Sequence, residues 1–146
     1  MSEPAMAVRK LNAEEAEFWS KVGDGEIFVS DIVDRATEPA AKMTVGFARL
    51  GRGDELEITF PYDDVLIVTK GVYTVRTTGG EEITARAGEA LYLPAGSENS
   101  SRAEEDTEMV YVASPPSVYA DHVAAAARVA RATVARCFDR GIEAAA

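Results

Sequence analysis

Two carboxylates on either side of a Phe-Pro-Tyr turn, Glu57 and Asp64, are the residues of this chain whose types and spacing most suggest chemistry. Thr59, Tyr62 and Asp63 stand between them, and Asn99 lies downstream. Two acids held together in a partly apolar interior repel, which raises one pKa and leaves an acid beside a base. That arrangement serves proton transfer, as in an isomerase, epimerase, dehydratase or cyclase. On this reading Glu57 or Asp64 is the acid/base, Tyr62 and Asn99 orient a substrate, and Tyr73, Tyr92, Tyr111 and Tyr119 line the pocket. The same residues have a plainer reading. Asp63 and Asp64 make a solvated turn, Glu57 faces water, and the strand tyrosines are ordinary core.

Other chemistries find less support. Cys137 is the only cysteine and sits among small apolar residues, as a packed thiol does, and a lone cysteine excludes an internal disulfide. His122, the only histidine, falls in a helical pattern far from the acids, as a solvated or helix-packing residue would. The formal net charge of −10 disfavours both nucleic acid and anionic membrane surfaces. No apolar run is long enough to span a bilayer, and the acidic N-terminus is unlike a signal peptide. With the single cysteine, this gives an expectation of a cytoplasmic protein.

The elements that would position these residues are mostly strands. Asn12 and Glu15 form a capping pair, with Leu11, Phe18 and Trp19 as an apolar side, which predicts a helix near 12–22 ended by Gly23 and Gly25. From there to Pro115 come EIFVSDIVD, KMTVGFARL, ELEITF, DVLIVTK, VYTVRTT, EEITARA, ALYLP and TEMVYVAS. Each run is short, rich in β-branched or aromatic residues, and bounded by Gly, Pro, Asp or Ser. The Gly79-Gly80 dipeptide joins VYTVRTT to EEITARA as a hairpin. Even strand spacing without intervening helices predicts an all-β barrel or sandwich. After Pro116, Val123, Ala126, Ala127, Ala130, Val134, Cys137 and Phe138 fall on one helical stripe. The expected organisation is therefore an N-terminal helical segment over 1–24, a barrel over 25–115, and a C-terminal helix over 116–146 packed on the barrel or on a partner subunit.

Gly88, Pro94 and Gly96 in GEALYLPAG stand in the register of the second cupin motif, G-x5-P-x-G-x2-H-x3-N. Asp64 and Gly71 in DVLIVTKG match the end of the first, in which Asp64 takes the place of the glutamate. The chain thus resembles the cupins. FPYDDVLIVTKGVYTVR, with Tyr62-Asp63-Asp64, and the closing EMVYVASP make it most similar to the EutQ-type ethanolamine-utilisation cupins. The resemblance implies a double-stranded β-helix, or jelly-roll barrel. It also implies a metal site of three histidines and a carboxylate. With Asp64 as the carboxylate, two histidine places fall at Glu57 and Thr59, or at Ile58 and Phe60 with the shorter spacing, and the third falls at Asn99. None is histidine, and imidazole is what such sites use to hold Fe, Ni, Cu or Zn. The expectation is a pocket without metal or other cofactor; Glu57, Asp64 and Asn99 could hold only a hard cation through oxygen.

If Glu57 and Thr59 point inward, as the motif histidines would, Glu57, Thr59, Asp64 and Asn99 converge, with Tyr62 and Asp63 at the rim. Two functions suit such a pocket. One is a metal-independent acid/base enzyme acting on a small organic substrate. The other is a non-catalytic cupin that binds a small ligand, or an accessory subunit in amine-catabolic or biosynthetic metabolism. Buried paired acids in a closed barrel favour the first, and a filled core favours the second. Because a cupin barrel has edge strands that need cover, a homodimer is expected.

Overall fold

The computed structural model describes residues 7–125. The eight expected runs form strands, and two unexpected ones, β1 and β9, join them: β1 (Ser20–Lys21), β2 (Ile27–Val33), β3 (Thr44–Leu50), β4 (Glu55–Glu57), β5 (Asp63–Lys70), β6 (Val72–Thr77), β7 (Glu82–Arg86), β8 (Ala90–Leu93), β9 (Asn99–Ala103) and β10 (Thr107–Ser114). They form two antiparallel sheets, a six-stranded one ordered β1-β2-β3-β10-β5-β8 and a four-stranded one ordered β4-β9-β6-β7. A helix, α1, comes next over 116–125. The remainder of the expected C-terminal helix, including most of its small-residue stripe and Cys137, lies outside the described residues.

Period-2 alternation decides which side chains are enclosed. In β10, Thr107, Met109, Tyr111 and Ala113 are buried while the residues between them are half-buried. Ala48, Leu50, Leu66, Val68, Leu93 and Met109 from the large sheet meet Ile58, Tyr73, Val75, Ala85 and Ala103 from the small one in a single core. Tyr73 and Val68 are almost wholly enclosed, and a fully buried side chain of such size contributes about 1.5–3 kcal/mol.

The predicted N-terminal helix is a correction. Asn12 caps as expected, its side chain accepting from the Glu15 backbone N–H, but only a 3-10 turn over Ala13–Glu15 forms. Phe18 is 81% exposed, and the chain instead enters β1, where Ser20 pairs with Val29 and Lys21 with Phe28. A short helix is marginal without a buried face, whereas strand pairing satisfies the backbone of Ser20 and Lys21 directly. Trp19 is held by Arg49, whose guanidinium lies 4.4 Å from its ring centroid. Two smaller differences concern the small sheet. ELEITF is regular strand only over Glu55–Glu57, with one further backbone bond from the Ile58 N–H to Asn99, and the polar run NSSRA forms β9 between β4 and β6. In the β6–β7 turn only Gly80 takes positive φ.

Gly46 fits the fold through space rather than through dihedral freedom. It pairs with Tyr111 across β3 and β10, and a Cβ added there would stand 2.2 Å from the Tyr111 hydroxyl. The missing side chain makes room for the ring.

Candidate functional site

The phase of the strand before Tyr62 settles which residues enter the barrel. Ile58 is buried and Leu56 and Phe60 pack against the core, while Glu57 and Thr59 are exposed. The inward orientation expected for Glu57 and Thr59 is therefore corrected: they lie on the outer side of the small sheet. The physical reason is the binary pattern itself. Turning Leu56, Ile58 and Phe60 outward to bury Glu57 would expose three apolar side chains and desolvate a charge. The shorter motif spacing is the one in use, and the places of the two imidazoles hold Ile58 and Phe60.

Asp64 does enter the interior. It lies at the start of β5, opposite Leu93 of β8 and Ala113 of β10, and is only 4% exposed. Burial pushes its carboxyl up to about 7, with the backbone of Val65 opposing. Its Oδ1 has no hydrogen-bond partner among the described residues. Tyr62 is buried rather than at the rim, and burial, then the charge of Asp64, raises its phenol above the ordinary tyrosine value. Tyr73 is raised to about 12 by burial, partly offset by its hydrogen bond with Ser101, with Asp64 adding to the rise. The Ser101 hydroxyl donates in turn to the Leu56 carbonyl at 2.9 Å.

The remaining expected residues disperse. Asp63 is exposed, and its Oδ1 accepts from the Ala95 N–H at 2.9 Å, pinning the Pro94–Gly96 turn that Gly96 also ties to the Phe60 carbonyl. Asn99 is half-buried beside Ile58, whose N–H donates to its carbonyl, and its amide donates to the Ser97 hydroxyl at 3.0 Å. Tyr92 is 66% exposed on the outside of β8, so it lines no interior pocket. Of the expected set, Asp64, Tyr62 and Asn99 belong to the inner side and mouth of the barrel; Glu57, Thr59, Asp63 and Tyr92 do not.

Sequence reasoning missed several members. Thr44 is 1% exposed and its hydroxyl, like Asp64 Oδ1, lacks a partner among the described residues. Both residues pair with Ala113, one from β3 and one from β5, so the two unpartnered oxygens flank a fully buried alanine in one row of the sheet. Helix α1 lies close by. Tyr119 meets Tyr62 edge-on at 5.3 Å, and His122 meets Phe60 and Tyr62 edge-on at 5.8 and 5.7 Å. Phe60 and Tyr62 stack at 5.0 Å. Tyr111 and Tyr119 both donate to Asp31 Oδ1, the second at 2.7 Å, which joins β10 and α1 to β2. Burial first raises both phenols; the charges of Tyr119 and Asp31 add to the rise at Tyr111, and Asp31 adds to it at Tyr119 against an opposing hydrogen bond with Tyr111, so both stay donors throughout the neutral range. His122, read from sequence as a solvated or helix-packing residue, packs from α1 against the stacked Phe60 and Tyr62.

The donor set does not fit a cupin metal. Ile58 and Phe60 offer no ligand atom, Asn99 offers only a neutral amide, and no group of three His, Cys, Asp or Glu converges among the described residues. Also among the described residues, no helix is long and apolar enough to cross a membrane.

Comparison with known proteins agrees with this architecture. The family model described as ethanolamine utilisation protein EutQ matches residues 11–120. An ethanolamine utilization protein Q from Salmonella typhimurium LT2 is 25% identical over 67% of this chain and 79% of its own, with a TM-score of 0.59. A Rhizobium leguminosarum protein of unknown function is 31% identical over 75% of this chain and 99% of its own, with a TM-score of 0.62. Ectoine synthase from P. lautus, 19% identical over 76% of this chain and 79% of its own with a TM-score of 0.63, shares the fold. No curated protein matches significantly. With its two-sheet barrel and its match to the EutQ model over 11–120, the chain belongs to the EutQ family of the cupin superfamily.

Proposed function

We propose that this chain is a cytoplasmic, homodimeric EutQ-like cupin of small-molecule metabolism that works without metal or other cofactor. Its interior acid/base is Asp64, and its reaction is of the isomerase, cyclase or lyase type on a small organic substrate. The observation that carries the reading is the pair of unpartnered buried oxygens, Asp64 Oδ1 and the Thr44 hydroxyl, on either side of Ala113. A carboxyl that titrates near neutrality takes a proton from one substrate atom and returns it to another without a second acid. Thr44 supplies a hydroxyl to hold the substrate, and Tyr62 from the interior and Asn99 from the mouth orient it. Glu57 has no part in the step, since it faces outward.

The filled interior favours a second reading, a ligand-binding or accessory cupin of an amine-catabolic, ethanolamine-like, or biosynthetic pathway. Tyr73, Ile58 and Val68 occupy the barrel, and the two acids that would have formed a pair are on opposite sides of a sheet wall.

Incubation with a panel of small amino alcohols, amines and hydroxy acids in the presence of chelator, monitored by proton NMR, separates the two. Turnover by the native protein and its loss by about a hundredfold or more in Asp64→Asn is the expected result. Full turnover in Asp64→Asn would refute the assignment. Binding without turnover, unchanged by the substitution, would move the accessory reading ahead. A loss in Glu57→Gln equal to that in Asp64→Asn would restore the two-acid scheme.

A further inference from the structure

The interior that Asp64 and Thr44 share is electrostatically one-sided. Of the buried polar side chains among the described residues, Asp64 alone is ionisable as an acid or base in the neutral range, and the rest are serines and threonines. No base acts on its carboxyl, which answers to burial and to the Val65 backbone. Opposite it stand Leu93 of β8 and Ala113 of β10, neither of which titrates. The phenols nearby feel acids and no bases: Tyr62 is raised by Asp64 and Asp31, and Tyr73 by Asp64. His122 meets the Phe60 and Tyr62 rings from α1 but does not act on the carboxyl. An anionic ligand at Asp64 would thus meet a like charge with no cation to offset it, and would lose its own hydration as well.

We infer that this site selects a small organic ammonium ion, whose N–H groups bridge Asp64 Oδ1 and the Thr44 hydroxyl over Ala113, and that it rejects carboxylates. The inference rests on the interior-site reading above and names its substrate class. The donor count fits: an ammonium has only donors to offer, and the two buried oxygens have no partner among the described residues. The reach fits too. Thr44 and Asp64 both pair with Ala113, so their Cα atoms stand two strand spacings apart, about 9.6 Å. Two N–H···O bonds of about 2.9 Å cross up to about 6 Å of this, and the two buried side chains cover the rest. Taking the carboxylate out of water is a cost the free chain already carries, so the ligand adds only its own desolvation and gains charge-assisted hydrogen bonds. Aromatic rings beside the carboxylate favour the same ligand, because their faces attract cations and repel anions. A net charge of −10 also draws cations to the chain before they bind. Held against an ammonium, Asp64 stays ionised and begins the reaction as the base.

NMR titration of the native full-length chain with methylammonium, methanol and acetate at matched ionic strength, followed at the backbone amides around Ala113, tests the inference. Methylammonium should bind at least tenfold more tightly than methanol or acetate. It should also bind at least tenfold more tightly at about pH 8 than at about pH 5, because only the ionised carboxyl holds it. Asp64→Asn should lose that pH dependence, and Thr44→Val should weaken binding without removing it, with circular dichroism confirming that each variant is folded. The comparison across pH needs no variant, so it stands whether or not Asp64→Asn folds. Acetate or methanol bound as tightly as methylammonium, or a methylammonium affinity equal at both pH values, would overturn the inference. The two readings fail separately. Methylammonium binding as expected beside full turnover in Asp64→Asn would keep the ammonium site and refute the acid/base role. Turnover of an anionic substrate that Asp64→Asn abolishes, with no methylammonium bound, would refute the ammonium site and keep the acid/base role.

Discussion

Replacing Asp64 with asparagine should change the pH dependence of stability in a direction opposite to that of an ordinary surface acid. Burial raises this carboxyl from 3.8 to about 7, so the folded chain holds a proton that the unfolded chain has already released across that interval. Below 3.8 both states are protonated and Asp64 costs nothing through ionisation. Between 3.8 and about 7 the folded state binds more protons than the unfolded state, so stability falls as pH rises. Above about 7 both states are ionised and the loss is complete. At about 1.36 kcal/mol per pKa unit, the whole interval amounts to about 4 kcal/mol.

Asparagine removes this dependence. Its amide meets the same unpartnered surroundings, at a cost of about 1–3 kcal/mol that does not vary with pH. Between about pH 5 and pH 8 the stability of Asp64→Asn relative to the native chain should therefore improve by about 3 kcal/mol. All other acids titrate alike in both proteins and cancel in the difference. Urea unfolding at unit steps of pH, monitored by circular dichroism, measures it. A difference that stays flat across this range would show that Asp64 ionises in the folded chain as easily as in water, and the interior acid/base proposal would lose its physical basis.

The same variant should lose about a hundredfold or more of any turnover identified, measured by NMR at saturating substrate. Thr44→Val keeps the side chain's shape while deleting its hydroxyl, so it should weaken binding of substrate while leaving thermal stability unchanged or slightly raised; titration calorimetry and melting curves report the two separately. Gly46→Ala should cost about 1–3 kcal/mol, because its Cβ collides with the Tyr111 ring and the Asp31 hydrogen bond is lost with it. Equal urea midpoints for the native and Gly46→Ala proteins would refute that packing argument. Elemental analysis should find no stoichiometric transition metal, and function should survive chelator; one tightly held metal per chain would overturn the metal-free proposal.

The fold was legible because its strands are apolar and alternate. The glycine- and proline-bounded runs kept their identity, and the spacing of Gly88, Pro94 and Gly96 marked the turn that Asp63 and Phe60 hold. The strand NSSRA was not, since polar residues between two partners carry no hydrophobic signal. The place of Asp64 inside the barrel mouth was legible, and the inward orientation of Glu57 was misread. Alternation tells which residues share a face but not which face is inside. Here the apolar triplet Leu56, Ile58 and Phe60 carried that answer, and the analogy to inward-facing metal ligands overrode it. The Asp31, Tyr111 and Tyr119 hydrogen bonds join residues 80 or more positions apart, which no local pattern reveals. Thr44 gave no signal either, because a threonine in a strand is ordinary until its hydroxyl is found buried without a partner.

The loss of the metal ligands and the elevated carboxyl have one physical cause. In a histidine-bearing cupin, imidazoles and a cation would surround the carboxylate at this position and hold it ionised. This chain puts Ile58 and Phe60 where two imidazoles would stand, and Phe60 stacks on Tyr62, whose phenol feels the charge of Asp64. Helix α1 extends the apolar cover with Tyr119 and His122. Each replacement removes a source of charge compensation and adds desolvation, and both changes move Asp64 the same way, toward a group that exchanges a proton near neutral pH. A metal in such a site polarises substrate by fixed charge; a lone carboxyl with a neutral-range pKa acts by moving a proton. Substituting Phe60 with histidine would put back one imidazole without completing a metal site, and it should lower the Asp64 pKa by letting a cation approach. NMR titration of the carboxyl in Phe60→His is the measurement, and an unchanged pKa would show that burial by the barrel wall, not the residues in the histidine places, sets the acid's strength.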